Sequence, residues 1–244
     1  MREFLKGSRR GFVFSMQRSF QPNIAGRPNA FTLIELLVVI AIIAVLASLI
    51  VGLAGLAGRK SKEAQVRAQL NGLITAIDRY KSEFGYYPPD NVLSSTTVTT
   101  NVNPAINQLY YELTGVIVNN NLGTFQSVNR PTPISAATVR NVFHRDGFVH
   151  ATVDPKELKF LGSNWKANQV QTVMIGNDEV DVLVVPTQFP KGHPAAVFKV
   201  SKFESVNPWR YVSTNPTNNP ASFDLWAEVP INNKDVRIIG NWKE

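Results

Sequence analysis

The chain contains no cysteine, so neither a disulfide framework nor a thiolate site contributes to its fold or its chemistry. Histidine is almost as scarce. His144, His150 and His193 are the three present, and they show neither the helical His-x-x-x-His spacing nor the cysteine partners of a zinc site. A Gly-x-Ser-x-Gly turn and a Walker loop are both missing, which removes two common hydrolase and nucleotide-binding signatures. His144-Arg145-Asp146 has the letters of a kinase catalytic loop, yet no glycine-rich loop or downstream metal-binding triplet accompanies it. No catalytic constellation emerges, and the chain reads as a non-enzyme.

The most informative absence is of charge. From Leu36 to Gly58, 23 consecutive residues carry none, and as a helix rising about 1.5 Å per residue they extend roughly 34 Å, enough to cross one bilayer once. Fourteen of them are Leu, Ile or Val, which together favour insertion by about 4 to 8 kcal/mol. One acid, Glu35, stands at the mouth of this run. An ionised carboxylate costs about 2.5 to 3.5 kcal/mol at mid-bilayer and less near the end of a span. Glu35 therefore does not prevent insertion; it needs a partner.

Hydrolysis between Ala30 and Phe31 would supply one. The new Phe31 α-amine would lie at the start of the same helix, four residues before Glu35. In a bundle of axially staggered identical helices, the carboxylate of one subunit would meet the amine of the next and set the register by charge.

The run Ala30-Phe31-Thr32-Leu33-Ile34-Glu35-Leu36-Leu37-Val38-Val39-Ile40-Ala41-Ile42-Ile43 resembles the cleavage and N-methylation motif of type IV pilins and of the pseudopilins of type II secretion. The resemblance implies that a prepilin peptidase removes residues 1–30, that the Phe31 amine is methylated, and that Glu35 is the acid needed for filament assembly. It further implies a homo-oligomeric filament, contacts with minor pseudopilins and an inner-membrane assembly platform, and a cytoplasmic ATPase that does the work of extraction. One position departs from the pattern: the family usually has Gly before the cut, and this chain has the slightly larger Ala30.

Charge fixes an orientation. Residues 1–30 carry six cations against the single acid Glu3, a balance of +5 out of the chain's +7, so the basic excess is a topology signal rather than a nucleic-acid footprint. The positive-inside rule keeps that stretch in the cytoplasm and translocates the chain beyond Gly58. With the resemblance, this predicts a single-pass inner-membrane protein with a periplasmic C-terminal domain, found in a filament after assembly. Met16, followed by Gln17 and Arg18, offers an internal start that would leave a 15-residue leader. An ordinary secretory signal cut after Val45-Leu46-Ala47 is the competing reading. Against it, an acid rather than a base stands next to the apolar run, and the run continues ten residues past that cut.

Beyond Gly58, Val66, Leu70, Leu73, Ile74, Ile77 and Tyr80 recur at spacings of three and four, one face of an amphipathic helix. Joined to the apolar half, this predicts a single helix from about Thr32 to Phe84, stopped by Gly85 and Pro88-Pro89. Gly52, Gly55 and Gly58 predict either a soft stretch within it or close packing against small residues. Residues 91–103 and 119–133 read as loops, 105–114 as a short helix closed by Gly115, and Lys156 to Leu161 as a brief helical turn that Asp154-Pro155 caps and opens. Strands are expected over 181–185, 196–203, 209–213, 223–228 and 236–241. The fold class is therefore α+β, with a long N-terminal helix, membrane-spanning over 31–58 and amphipathic over 59–84, packed on a small antiparallel sheet domain over 85–244.

Two further segments resemble the major pseudopilins. Asp78-Arg79-Tyr80 leading into Gly85-Tyr86-Tyr87-Pro88 is similar to their helix end. Asn207-Pro208-Trp209, Phe223-Asp224-Leu225-Trp226 and Ile239-Gly240-Asn241-Trp242 are similar to their C-terminal signatures, whereas residues 91–195 have no counterpart. Trp165, Trp209, Trp226 and Trp242 read as core anchors. The resemblance also implies a calcium ion, for which Asp224, Glu228 and Asp235 are the available carboxylates, although the family's Gly-x-Asp-Gly is replaced by Glu228-Val229-Pro230-Ile231. Two alternatives stay open: a type IV pilin for adhesion, motility or DNA uptake, and a membrane-tethered periplasmic binding module or enzyme using residues 91–195.

Overall fold

The computed structural model describes residues 31–94, 99–101, 103–127, 132–153, 160–161, 165–196 and 206–242. Residues 1–30, including Met16 and Ala30, lie outside the described residues. The chain divides into two compact units, Met1–Val51 and Gly52–Glu244.

The first α-helix, α1, is Leu33–Phe84. Its first unit consists, in side-chain terms, of residues 31–48, every one of them exposed; the side chains of 49–56 lie outside the description. Among the described residues, no helix is long and apolar enough to cross a membrane. The span expected from Leu36 to Gly58 falls partly on residues 49–56, outside the described side chains. Val45 to Ser48 is helical, with the Ser48 hydroxyl donating to the Val45 carbonyl at 2.7 Å.

In the second unit, α1 buries Val66, Leu70, Leu73, Ile77 and Tyr80 of the stripe that its spacing predicts, with Ile74 only partly buried and Ala76 buried in addition. The helix ends as its sequence requires. Gly85 takes a φ of +83°, a conformation that only glycine adopts without strain, and its N–H closes the last turn on the Lys81 carbonyl at 2.8 Å.

The remaining elements are short: β1 (Val92–Ser94), β2 (Thr99–Asn101), α2 (Leu109–Thr114), β3 (Val116–Asn119), β4 (Thr124–Ser127), β5 (Pro133–Ser135), α3 (Ala136–Phe143), β6 (Ala151–Thr152), β7 (Val170–Ile175), β8 (Asp178–Leu183), β9 (Arg210–Val212), β10 (Asp224–Pro230) and β11 (Val236–Gly240). They make an α+β domain of several small sheets. β1 pairs with β2, and β7 with β8. β5, β4, β3 and β6 form one sheet, in which β3 and β6 run parallel, and β9, β10 and β11 form an antiparallel meander. Trp209, Tyr80, Tyr110, Tyr111, Tyr211 and Phe143 are the largest side chains of the core.

Several expectations about residues 91–195 are corrected. Residues 91–103 contain a hairpin instead of a continuous loop, with Val92 opposite Asn101, and 119–133 contains β4. Strands of three or four residues rich in Thr, Asn and Gln present too few alternations to stand out as a period of two. The helix expected over 105–114 begins only at Leu109, because the Asn107 side chain takes the Leu109 N–H and reaches back to the carbonyls of Pro104 and Trp209. β8 starts three residues earlier than expected, since the turn at Gly176 (φ +63°) pairs Ile175 with Asp178. The strand expected over 196–203 falls on 197–203, and the turn expected from Asp154 on 154–159, both outside the described residues. Of the four tryptophans, only Trp209 is fully buried; Trp226 and Trp242 are half-buried and pair edge to face at 5.9 Å.

Candidate functional site

Glu35 closes a capping box at the start of α1. The Thr32 N–H and the Thr32 hydroxyl both donate to Glu35 Oε2, at 2.9 and 2.8 Å, while the Glu35 N–H donates back to the Thr32 hydroxyl at 3.3 Å. Thr32 at the cap and an acid three residues later satisfy N–H groups at the helix start that would otherwise lack an intrahelical partner. Thr32 was not singled out from the sequence, although Thr-x-x-Glu before an apolar run is the signal for it. The side chain of Glu35 is thereby held at the helix terminus next to Phe31, the residue whose amine the expected cut would free; Ala30, the other side of that bond, lies outside the described residues.

Beyond Glu35 the described side chains of the helix, to Ser48, are all exposed. Phe31 is 78% exposed, Leu33 81%, and every large apolar residue from Leu36 to Leu46 about half or more. A run of this kind does not face water in a stable protein; lipid or other subunits must cover it.

The segments whose residues resemble pseudopilins come together in the second unit. Tyr87 meets Phe223 with ring centroids at 5.0 Å and shares a hydrogen bond with Ser222, and the Tyr211 hydroxyl donates to the Pro88 carbonyl at 2.8 Å. Asp90, fully buried, accepts the N–H groups of Ser213 and Thr214 at 2.8 Å each. Asn241 uses its side chain on both the Leu225 N–H and the Phe223 carbonyl. The turn after α1 is thus fastened to β9 and to the loop between β9 and β10 by polar contacts whose partners lie more than 120 residues apart in sequence.

The three carboxylates considered for calcium do not converge. Asp224 is buried and accepts from the backbone and side-chain amides of both Asn218 and Asn219. Glu228 forms an ion pair with Arg210 at 2.9 Å, and Asp235 accepts from the Asn232 amide at 2.8 Å. Asp224 and Glu228 stand four residues apart on β10, roughly 13 Å along a strand, whereas calcium ligands lie within about 2.6 Å of the ion. Among the described residues, no group of three or more His, Asp or Glu is arranged to hold a metal ion. The set therefore does not fit a calcium ion, because each acid is already committed to its own protein partner.

The other candidates from the sequence have structural work. His144 ends α3 in the left-handed region at φ 56°, and the Arg145 guanidinium donates to the Asp90 carbonyl from both Nε and Nη2. His150 directs Nδ1 to the Glu112 carbonyl at 2.8 Å, and His193 uses Nδ1 for the Ala195 N–H. Composition gave no hint that Glu112 would be an acid buried in the core. Its carboxylate accepts from the N–H groups of Val149 and His150 and from the Tyr80 hydroxyl, at 2.8 to 2.9 Å.

No curated protein and no solved structure matches the chain. Residues 27–51 match the family described as the prokaryotic N-terminal methylation motif, the prepilin motif of type IV pilin-like proteins, and this match covers Phe31, Thr32, Glu35 and the whole exposed stem to Ser48.

Proposed function

We propose that the protein is a structural subunit of a pilus-like filament, a pseudopilin of a type II secretion system. It is cut between Ala30 and Phe31 by a prepilin peptidase, methylated on Phe31, held in the inner membrane by its N-terminal helix, and polymerised through that helix with its C-terminal domain in the periplasm. The observation that carries the reading is a bare apolar stem headed by one acid, lying within a matched methylation motif. Stems packed against one another bury the surface that a single chain leaves open, and the Phe31 amine of a neighbour compensates Glu35. Minor pseudopilins, an assembly platform and a cytoplasmic ATPase complete the system, and the subunit itself catalyses nothing.

Mass measurement of the mature N-terminus on protein from native membranes tests this. A methylated Phe31 is expected; a chain beginning at Ser48, or functional material with its leader attached, overturns it. Within the same architecture, deleting the gene and assaying secretion against twitching and transformation separates a secretion pseudopilin from a pilus pilin.

A further inference from the structure

A cleft of about 800 Å³ opens in the second unit between the start of its helical segment and the β10–β11 hairpin. Arg59, Lys60 and Lys62 line it from α1, and Arg237 from β11. Glu63 is the one acid in its wall, and it is engaged by Arg237 and Arg67 at 3.2 Å each. Among the described residues, Arg59 and Lys62 have no ion-pair partner. The opposite wall sets the apolar Pro186, Pro190, Val229, Pro230 and Ile231 beside the polar Thr187, Gln188, Asn232 and Asn233. Arg59 is also the first charge after the 23 uncharged residues. Cations there work against the orientation set by the leader, so orientation gives no reason for them.

We propose that this cleft binds the headgroup of an anionic phospholipid, with the phosphodiester among Arg59, Lys60, Lys62 and Arg237 and the glycerol end against the proline-lined wall. The inference rests on the membrane-anchored reading above, because only there does Arg59 emerge beside a layer of headgroups. A free phosphate would use the cations alone. A lipid headgroup uses both walls, and that is why the lipid is the occupant assigned. Each Lys or Arg near an anionic surface strengthens attachment by about fivefold.

The test uses the full chain in a neutral detergent, with lipid retention read by native mass spectrometry. Phosphatidylglycerol is expected to be retained at least tenfold more than phosphatidylcholine. The triple variant Arg59→Gln/Lys60→Gln/Lys62→Gln should lose that preference, while Arg79→Gln/Arg140→Gln/Lys166→Gln, which removes as many exposed charges elsewhere, should keep it. Arg237→Gln alone should weaken retention several-fold. An unaffected Arg237→Gln variant would reduce the effect to general attraction by the helix and overturn the cleft. Equal losses in the two triple variants, no preference between the lipids, or inorganic phosphate competing as well as phosphatidylglycerol would each overturn it as well. Sequencing the N-terminus of the same preparation keeps the two claims apart. A chain cut at Phe31 that shows no lipid preference sinks the cleft alone, whereas an uncut functional chain sinks the reading beneath it.

Discussion

The hydroxyl of Tyr80, on α1, donates to Glu112 Oε2, on α2, at 2.9 Å inside the core of the second unit. Glu112 also receives the N–H groups of Val149 and His150, so one carboxylate ties together three segments that are far apart in sequence. Removing it leaves three donors unsatisfied in a buried site. We expect Glu112→Ala to cost about 2 to 4 kcal/mol and Tyr80→Phe about 1 kcal/mol, measured by denaturant unfolding. Equal costs would show that the backbone N–H bonds contribute nothing.

The same acid gives stability a pH dependence. Burial holds the Glu112 carboxyl above its ordinary value of 4.5, against the pull of the two backbone N–H groups and the Tyr80 hydroxyl. A carboxyl raised in the folded state contributes stability that is fully present below the unfolded value and lost as pH rises through the folded one. The denaturation midpoint should therefore fall from about pH 4.5 upward more steeply in the parent than in Glu112→Gln. Parallel profiles would show that Glu112 does not titrate in that window.

Thr32 and Glu35 separate a cap from a charge. Glu35→Gln keeps an acceptor for the Thr32 N–H and hydroxyl but removes the negative charge, so it should insert and be cut yet give little filament. Thr32→Ala costs about 1 kcal/mol of helix stability and should leave assembly largely intact. Filament yield by sedimentation or electron microscopy decides, and a normal yield from Glu35→Gln would end the charge-register argument.

Arg210 and Glu228 form the pair that takes one acid away from the expected calcium set. Arg210 is nearly buried, so Arg210→Ala should cost about 3 kcal/mol. Millimolar calcium should leave the melting temperature of the parent where a chelator leaves it. A calcium-dependent rise would show that Asp224, Glu228 or Asp235 rearranges to bind.

Gly240 lies under the ring of Trp242. A Cβ added there would stand 2.6 Å from the ring, too close for any real contact, and the ring edge is rigid. Gly240→Ala should expel Trp242 from its edge contact with Trp226, seen as a red shift in tryptophan emission. An unchanged spectrum would place Trp242 elsewhere.

The sequence by itself determined the features that are local and periodic. An unbroken apolar run, a stripe at spacings of three and four ending on Tyr80, and Gly85 before two prolines define α1, because a helix repeats within a few residues and needs no distant partner. The same locality makes the methylation motif around Phe31 and Glu35 legible, and the Thr-x-x-Glu cap of Thr32 with it. Only the tertiary structure decided the rest. Strands as short as Val92–Ser94 or Thr124–Ser127 exist through their pairing, and so left no pattern along the chain. Asp224, Glu228 and Asp235 are the carboxylates available for the calcium ion that the resemblance implies, but extended backbone separates Asp224 from Glu228 by about 3.3 Å per residue and each acid has a different partner. Glu112 and the basic cleft stayed hidden for the opposite reason. Their groups meet only after residues separated by 32 to 174 positions are folded together, and no one-dimensional spacing records that.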